Sequence, residues 1–124
     1  MNDKRPVNLD LSTIKFPVTA IASITHRVTG VAIFLALPIL LWMLDRSLAS
    51  PESFADLKEL MTSPLVKLVV WAILAVLLYH LVAGIRHLIM DTGVGETLEG
   101  GRRGAKLVFI ISAVLILLVG GWIW

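Results

Sequence analysis

The sequence contains no cysteine, a single tyrosine and few charges; Asp, Glu, Lys and Arg make up 16% of its 124 residues. Without cysteine these residues form no disulfide, bind no zinc through thiolates, attach no c-type haem covalently and ligate no iron–sulfur cluster through sulfur. The scarcity of charge is matched by an apolar surplus, 57% hydrophobic with a mean hydropathy of +0.88. An ordinary soluble domain is about 25% charged and about 45–50% apolar, and a chain this short has too little interior to bury the difference. The surplus therefore faces lipid or a partner. A soluble enzyme, a disordered regulator and a nucleic-acid-binding domain are excluded as classes. The sequence also carries no dinucleotide fingerprint, internal repeat or low-complexity tract.

What is present is three stretches free of Asp, Glu, Lys and Arg: Val28–Leu44, Leu68–Ile85 and Leu107–Trp124. Each is near the roughly 17–25 residues that a helix needs to cross the hydrocarbon layer, and flanking Arg and Lys side chains can snorkel to lengthen each by a turn. Inside lipid every backbone polar group must be paired within the protein, so the stretches predict helices. The expected fold class is an all-α integral membrane protein with three transmembrane helices. The expected organisation is a single membrane-anchor domain, 1–124, with an N-terminal arm over 1–22 and spans at approximately 23–46, 65–91 and 104–124. No apolar run follows the opening residues until past Pro17, so no cleaved signal peptide is expected.

The two connectors differ in kind. The first holds Ser50-Pro51 and Ser63-Pro64, each resembling an N-cap followed by proline at the first helical position. Between them, Glu52 to Met61 fits either a short amphipathic surface helix or a plain polar connector. The second connector, Asp91 to Lys106, holds five glycines, of which Gly93 is placed to end the second helix.

Basic residues orient the chain. Lys4, Arg5, Lys15, Arg27, Arg86, Arg102, Arg103 and Lys106 fall on one side, and Arg46, Lys58 and Lys67 on the other, eight against three. The N-terminus is thus expected on the cytoplasmic side and the C-terminus opposite. Trp42, Trp71, Trp122 and Trp124 then fall at the far interface, where tryptophan belts occur.

Polar residues at membrane depth are costly and hence informative. His80 lies about 9 Å along its helix from Arg86 and about 20 Å from Lys67, at 1.5 Å per residue, which puts it inside the hydrocarbon layer toward the cytoplasm. An imidazole there needs a hydrogen bond, a proton path or a metal. Gly84 and His87 follow on the same face, and the missing side chain at Gly84 would let a flat macrocycle approach the backbone. On the first span Ser23, Arg27 and Gly30 make a stripe with His26 beside it. A guanidinium at the membrane edge suits a carboxylate such as a haem propionate, and a hydroxyl one turn away suits a quinone carbonyl. Interfacial anchoring for Ser23 and Arg27, an interhelical hydrogen bond for His80, and a self-satisfied cluster of Arg86, His87 and Asp91 remain the structural alternatives.

The segments RPVNLDLSTIKFPVTAIASITHRVTG and YHLVAGIRHLIMD contain S-x-x-H-R-x-S/T-G and H-x-x-x-G-I-R-H-x-x-x-D, in that order. In these motifs, and over nearly its whole length, the chain resembles the cytochrome b subunit of bacterial succinate dehydrogenase. The resemblance implies a helical bundle formed with a second hydrophobic anchor subunit around one haem b, each anchor supplying one axial histidine. It implies His80 as the haem iron ligand, His26 and Arg27 near the propionates, and Ser23, Ile24 and Arg27 at the ubiquinone pocket. It further implies an iron–sulfur subunit and a flavoprotein subunit docked on the cytoplasmic face of a bacterial inner membrane, with succinate oxidised in the flavoprotein and the C-terminus in the periplasm. It leaves open a trimer of such heterotetramers. Thr92, Val94 and Gly95 replace bulkier residues of relatives in the second connector. The competing readings are the anchor of a fumarate reductase, a haem-free structural anchor and a small transport subunit. The uncharged far half of every span weighs against the last.

Overall fold

In a computed structural model, residues 16–95 and 97–124 are described, and they form four α-helices with no strand. These are α1 (Val18–Ala49), α2 (Pro51–Leu60), α3 (Pro64–Asp91) and α4 (Leu98–Ile123). The helices α1, α3 and α4 are long and apolar enough to cross a membrane, which bears out the all-α class with three spanning helices. Lys4, Arg5 and Lys15, which contribute to the expected charge asymmetry, lie outside the described residues.

The helix boundaries follow local chemistry. α1 starts after Pro17, whose backbone is extended, and its 32 residues run about 48 Å at 1.5 Å each. α2 is the amphipathic alternative realised as a helix: Ser50 accepts a hydrogen bond from the Ser53 backbone N–H at 2.9 Å, and Pro51 occupies the first turn. The second Ser-Pro pair works differently. Ser63 makes no side-chain cap bond, so Pro64 opens α3 through its preset φ, and the Ser63 carbonyl accepts from Lys67 at 2.9 Å. α3 ends where the Thr92 and Gly93 N–H groups bond back to Ile89 and Met90, and Gly93 takes a φ of +92° that disfavours a side chain.

The glycine-rich connector is shorter than its composition suggests, because it is helical from Leu98 onward. Thr97 caps this start by accepting from the Gly100 N–H at 3.0 Å. Glu99 sits in the first turn, where a negative charge favours the helix dipole, and pairs with Arg103 one turn on at 3.2 Å. Gly100, Gly101 and Gly104 are there for close approach. A Cβ on Gly100 would stand 2.8 Å from Thr97 Oγ1, one on Gly101 3.6 Å from Thr19 Cγ2, and one on Gly104 2.9 Å from Arg86 Nε.

Small residues bring the helices together: Ala22 of α1, Ala83 of α3, and Ala105 and Val108 of α4 are buried, while most large apolar side chains face outward. That inversion suits a protein whose surroundings are apolar, since tight backbone approach replaces hydrophobic burial as the cohesive term. Two aromatic side chains add cross-helix hydrogen bonds. Buried Tyr79 donates its hydroxyl to the Ala22 carbonyl at 2.9 Å, tying α3 to α1. Trp71 donates its indole N–H to the Ile116 carbonyl at 2.9 Å, tying α3 to α4. Trp71 thus joins two helices, whereas Trp42, Trp122 and Trp124 are exposed as belt residues are.

The Trp71 contact depends on Gly120, where a Cβ would stand 2.8 Å from the indole. Gly120→Val is therefore expected to push the indole off its carbonyl and to destabilise the bundle by about 1–3 kcal/mol. A lower unfolding midpoint in detergent, with altered tryptophan emission, is the expected result.

Candidate functional site

The site is centred on the imidazole in the apolar middle of α3. His80 projects toward α1, and its Nδ1 lies 3.2 Å from the His26 carbonyl oxygen and 3.1 Å from Thr29 Oγ1. A carbonyl oxygen only accepts, so Nδ1 carries the proton. The Thr29 hydroxyl donates to that same carbonyl at 2.8 Å and so presents a lone pair to His80. This assignment of the proton leaves Nε2 with a free lone pair, and no hydrogen bond engages that atom among the described residues. It is the tautomer of a metal-binding histidine whose second nitrogen is held by an oxygen.

His26 stacks on the face of His80, with ring centroids 4.1 Å apart and planes within 13°. On the far side of His26 lies His87, at 6.2 Å and 18°. The glycines explain how the rings fit. A Cβ on Gly30 of α1 would stand 3.3 Å from His80 Cε1, and a Cβ on Gly84 of α3 would stand 3.6 Å from His26 Nε2. Each helix thus carries a glycine opposite its neighbour's imidazole. The space over Gly84, read from the sequence as room for a macrocycle, holds the His26 ring, because α1 crosses close enough to fill it. The Nε2 of His26 is buried and has no hydrogen-bond partner.

Beside this stack a cavity of about 300 Å³ opens toward the α3–α4 turn, lined by Ser23, His26, Arg86 and His87 among others. Ser23 and His26 are therefore brought together, with His80 directly behind His26. Ile24 and Arg27 are exposed on α1 and do not line the cavity. For Arg86, the helix-end cluster with Asp91 is one of the alternatives, and its contacts lie elsewhere. No ion pair joins it to Asp91 among the described residues, and its Nη2 donates to the Gly101 carbonyl at 3.0 Å. Gly104 lets the guanidinium lie flat on α4, with Nε buried and unpartnered.

Thr29 and Arg86 stand at the S/T and R positions of the two motifs, but their contacts were not read from the sequence. The available signal for Thr29 was a hydroxyl three residues after His26 in an apolar helix. For Arg86 it was the run of glycines on the segment it lies against. Arg86→Leu is expected to free the start of α4. A hydrogen bond from a charged donor is worth about 1.5–3 kcal/mol, so amide exchange over 98–104 is expected to speed up roughly tenfold or more.

The residues present fit a b-type haem. They offer one imidazole with a free in-plane nitrogen and a fixed tautomer, and a second buried imidazole nitrogen that lacks a partner. Fold and site together define a multi-pass helical membrane protein that holds imidazoles between two of its helices. The chain belongs to the succinate dehydrogenase/fumarate reductase transmembrane subunit family, whose model matches residues 1–119. It is 49% identical over 125 residues to a succinate dehydrogenase cytochrome b556 subunit of Coxiella burnetii, covering 100% of each chain. It is 32% identical to the subunit of that name in Paracoccus denitrificans, covering 92% of this chain and 88% of that one. A succinate dehydrogenase cytochrome b560 subunit of Reclinomonas americana is 34% identical, covering 80% of this chain and 72% of the relative.

Proposed function

We propose that the chain is the larger membrane anchor of a succinate:ubiquinone oxidoreductase, that it supplies one axial ligand to a haem b, and that it forms part of the ubiquinone-reduction site. The observation that carries this reading is the His80 imidazole, held through Nδ1 by two oxygen atoms of α1 with Nε2 free. Family membership supports it, as do the relatives' names, which favour the succinate-oxidising direction over fumarate reduction. The proposed assembly has a second hydrophobic anchor supplying the other ligand, with an iron–sulfur subunit and a flavoprotein subunit on the cytoplasmic face of a bacterial inner membrane. The chain would act there as a single anchor domain with its C-terminus in the periplasm. The common end shared by the start of α1, the end of α3 and the start of α4 carries Arg27, Arg86, Arg102, Arg103 and Lys106, which supports that orientation.

In this reading His80 Nε2 would hold the iron, and His26 and Arg27 would face the propionates. When bound, the haem supplies a one-electron redox centre inside the bundle. Succinate oxidation itself belongs to the flavoprotein, because these residues include neither a dinucleotide-binding motif nor cluster ligands. Ser23 would hydrogen-bond a quinone carbonyl from the cavity rim. Arg27, one turn on and exposed, would hold its guanidinium toward the same headgroup and stabilise the negative charge that develops on the quinone oxygens. Ile24, also exposed on α1, would press an apolar surface on the ring. The outward placement of Ile24 and Arg27 fits a pocket completed by neighbouring subunits. Protons for the reduced quinone would arrive through the polar cavity at the cytoplasmic end.

Two measurements test this. His80→Ala in the purified complex is expected to abolish the low-spin haem spectrum, and an unchanged bis-histidine spectrum would overturn the ligand assignment. Ser23→Ala and Arg27→Leu are each expected to lower succinate–quinone activity about tenfold or more, the cost of one hydrogen bond to a charged or developing-charge partner. Succinate oxidation by a soluble artificial acceptor should be spared. Loss of both activities together would indicate failed assembly and would remove the case for a quinone site on α1.

A further inference from the structure

We infer that Thr29 is a positioning residue for His80, setting which ring nitrogen is offered to a haem iron and how strongly that nitrogen donates. The inference rests on the reading of His80 as the ligand. A threonine hydroxyl has one hydrogen and two lone pairs. The Thr29 hydroxyl is placed to donate to the His26 carbonyl at 2.8 Å, a bond back along its own helix. In that arrangement its oxygen meets His80 Nδ1, at 3.1 Å, as an acceptor.

The other tautomer would draw the Thr29 hydroxyl hydrogen away from the His26 carbonyl to Nδ1 and set the Nδ1 lone pair against that carbonyl oxygen. Thr29 is 8% exposed, so water does not come to its relief. The low local dielectric makes such a mismatch costly. The Cε1 edge of the ring faces the Gly30 position, where no side chain intervenes, and His26 covers one face. His26, Thr29 and Gly30 of α1 are what the ring lies against, and the Thr29 hydroxyl is the one side-chain group among them that touches Nδ1.

An acceptor on the remote nitrogen gives the imidazole partial imidazolate character, which strengthens its donation to iron and favours the oxidised metal. The Thr29 hydroxyl would therefore lower the haem midpoint potential and tighten haem retention without touching the haem or the quinone.

The test uses the assembled, detergent-purified complex carrying Thr29→Val, Thr29→Ala or Thr29→Ser. Haem content, the midpoint potential of the low-spin haem and the pulsed-EPR coupling of the remote imidazole nitrogen are the readouts. Thr29→Val is expected to raise the potential, alter the remote-nitrogen coupling and weaken haem retention by about tenfold or more. Thr29→Ala, which lacks the same hydroxyl in a smaller side chain, should do likewise and carries the test if the valine variant does not assemble. Thr29→Ser should restore wild-type values. Wild-type potential and coupling in both hydroxyl-less variants overturn the inference. So does a serine variant shifted as far as the valine one, which would assign the effect to packing. His80→Ala separates the two levels of the argument. If it loses the low-spin haem while Thr29→Val behaves as wild type, only the role of Thr29 falls; if it keeps that spectrum, the ligand reading falls.

Discussion

The contact on which the α1–α3 arrangement turns is that of His80 Nδ1 with two oxygens of α1, the His26 carbonyl and the Thr29 hydroxyl, which answer a polar atom placed in apolar surroundings. Much of the α1–α3 arrangement serves it. Gly30 and Gly84 let the two helices approach until each backbone lies against the other's histidine ring. The Tyr79 hydroxyl, one residue before His80, bonds the Ala22 carbonyl and holds α3 in rotational register with α1. A rotation of either helix by a single residue step would carry the ring away from both oxygens and leave a buried polar group unpaired, which lipid cannot relieve.

The same logic recurs at the α3–α4 contact with different groups. Large side chains reach across to backbone carbonyls, Trp71 to Ile116 and Arg86 to Gly101, and a glycine stands wherever the side chain must lie flat. These carbonyls belong to helices already hydrogen-bonded internally, so each takes a second donor on its remaining lone pair. Cohesion therefore comes from close packing and from polar contacts between helices. The large apolar side chains, which would form the core of a soluble protein, are spread over the outside. The contrast between a hydrophobic exterior and a core of alanine, glycine and hydroxyl groups is what the surplus of apolar residues means physically.

Functional consequences follow from how polar groups are distributed around α1. Ser23 and His26 face the cavity at the end where the α3–α4 turn lies, while Ile24 and Arg27 point away from this chain's own bundle. Ser23, His26 and His80 thus lie on the side of the contact with α3, whereas Ile24 and Arg27 lie on the outer surface of α1.

Much of this was legible in the residues themselves. The three charge-free runs, the Ser50-Pro51 cap and the ending of α3 near Gly93 are local properties, read along one helix at a time. So was the oddity of Ser23, His26 and His80 in apolar surroundings, which required partners without naming them. The helical start of α4 was hidden because glycine lowers helix propensity, and the compensation comes from a cap at Thr97 together with contacts to Thr19 and Arg86 on other helices. The cross-helix contacts of Trp71 and Arg86 were hidden for a related reason, since an interfacial residue and one reaching to an adjacent helix have the same local sequence signature.

By itself, then, the sequence determined that the chain spans a membrane as helices, which family its motifs belong to, and which few polar residues demand explanation. Only the tertiary structure decided that His26 fills the space over Gly84, that Thr29 and the His26 carbonyl lie against Nδ1 of His80, and that Arg86 reaches α4. The reason is geometric. Hydropathy and periodicity describe a helix about its own axis, whereas these pairings depend on how one helix is rotated and placed in depth against another. That relation is settled by packing among residues far apart in the chain.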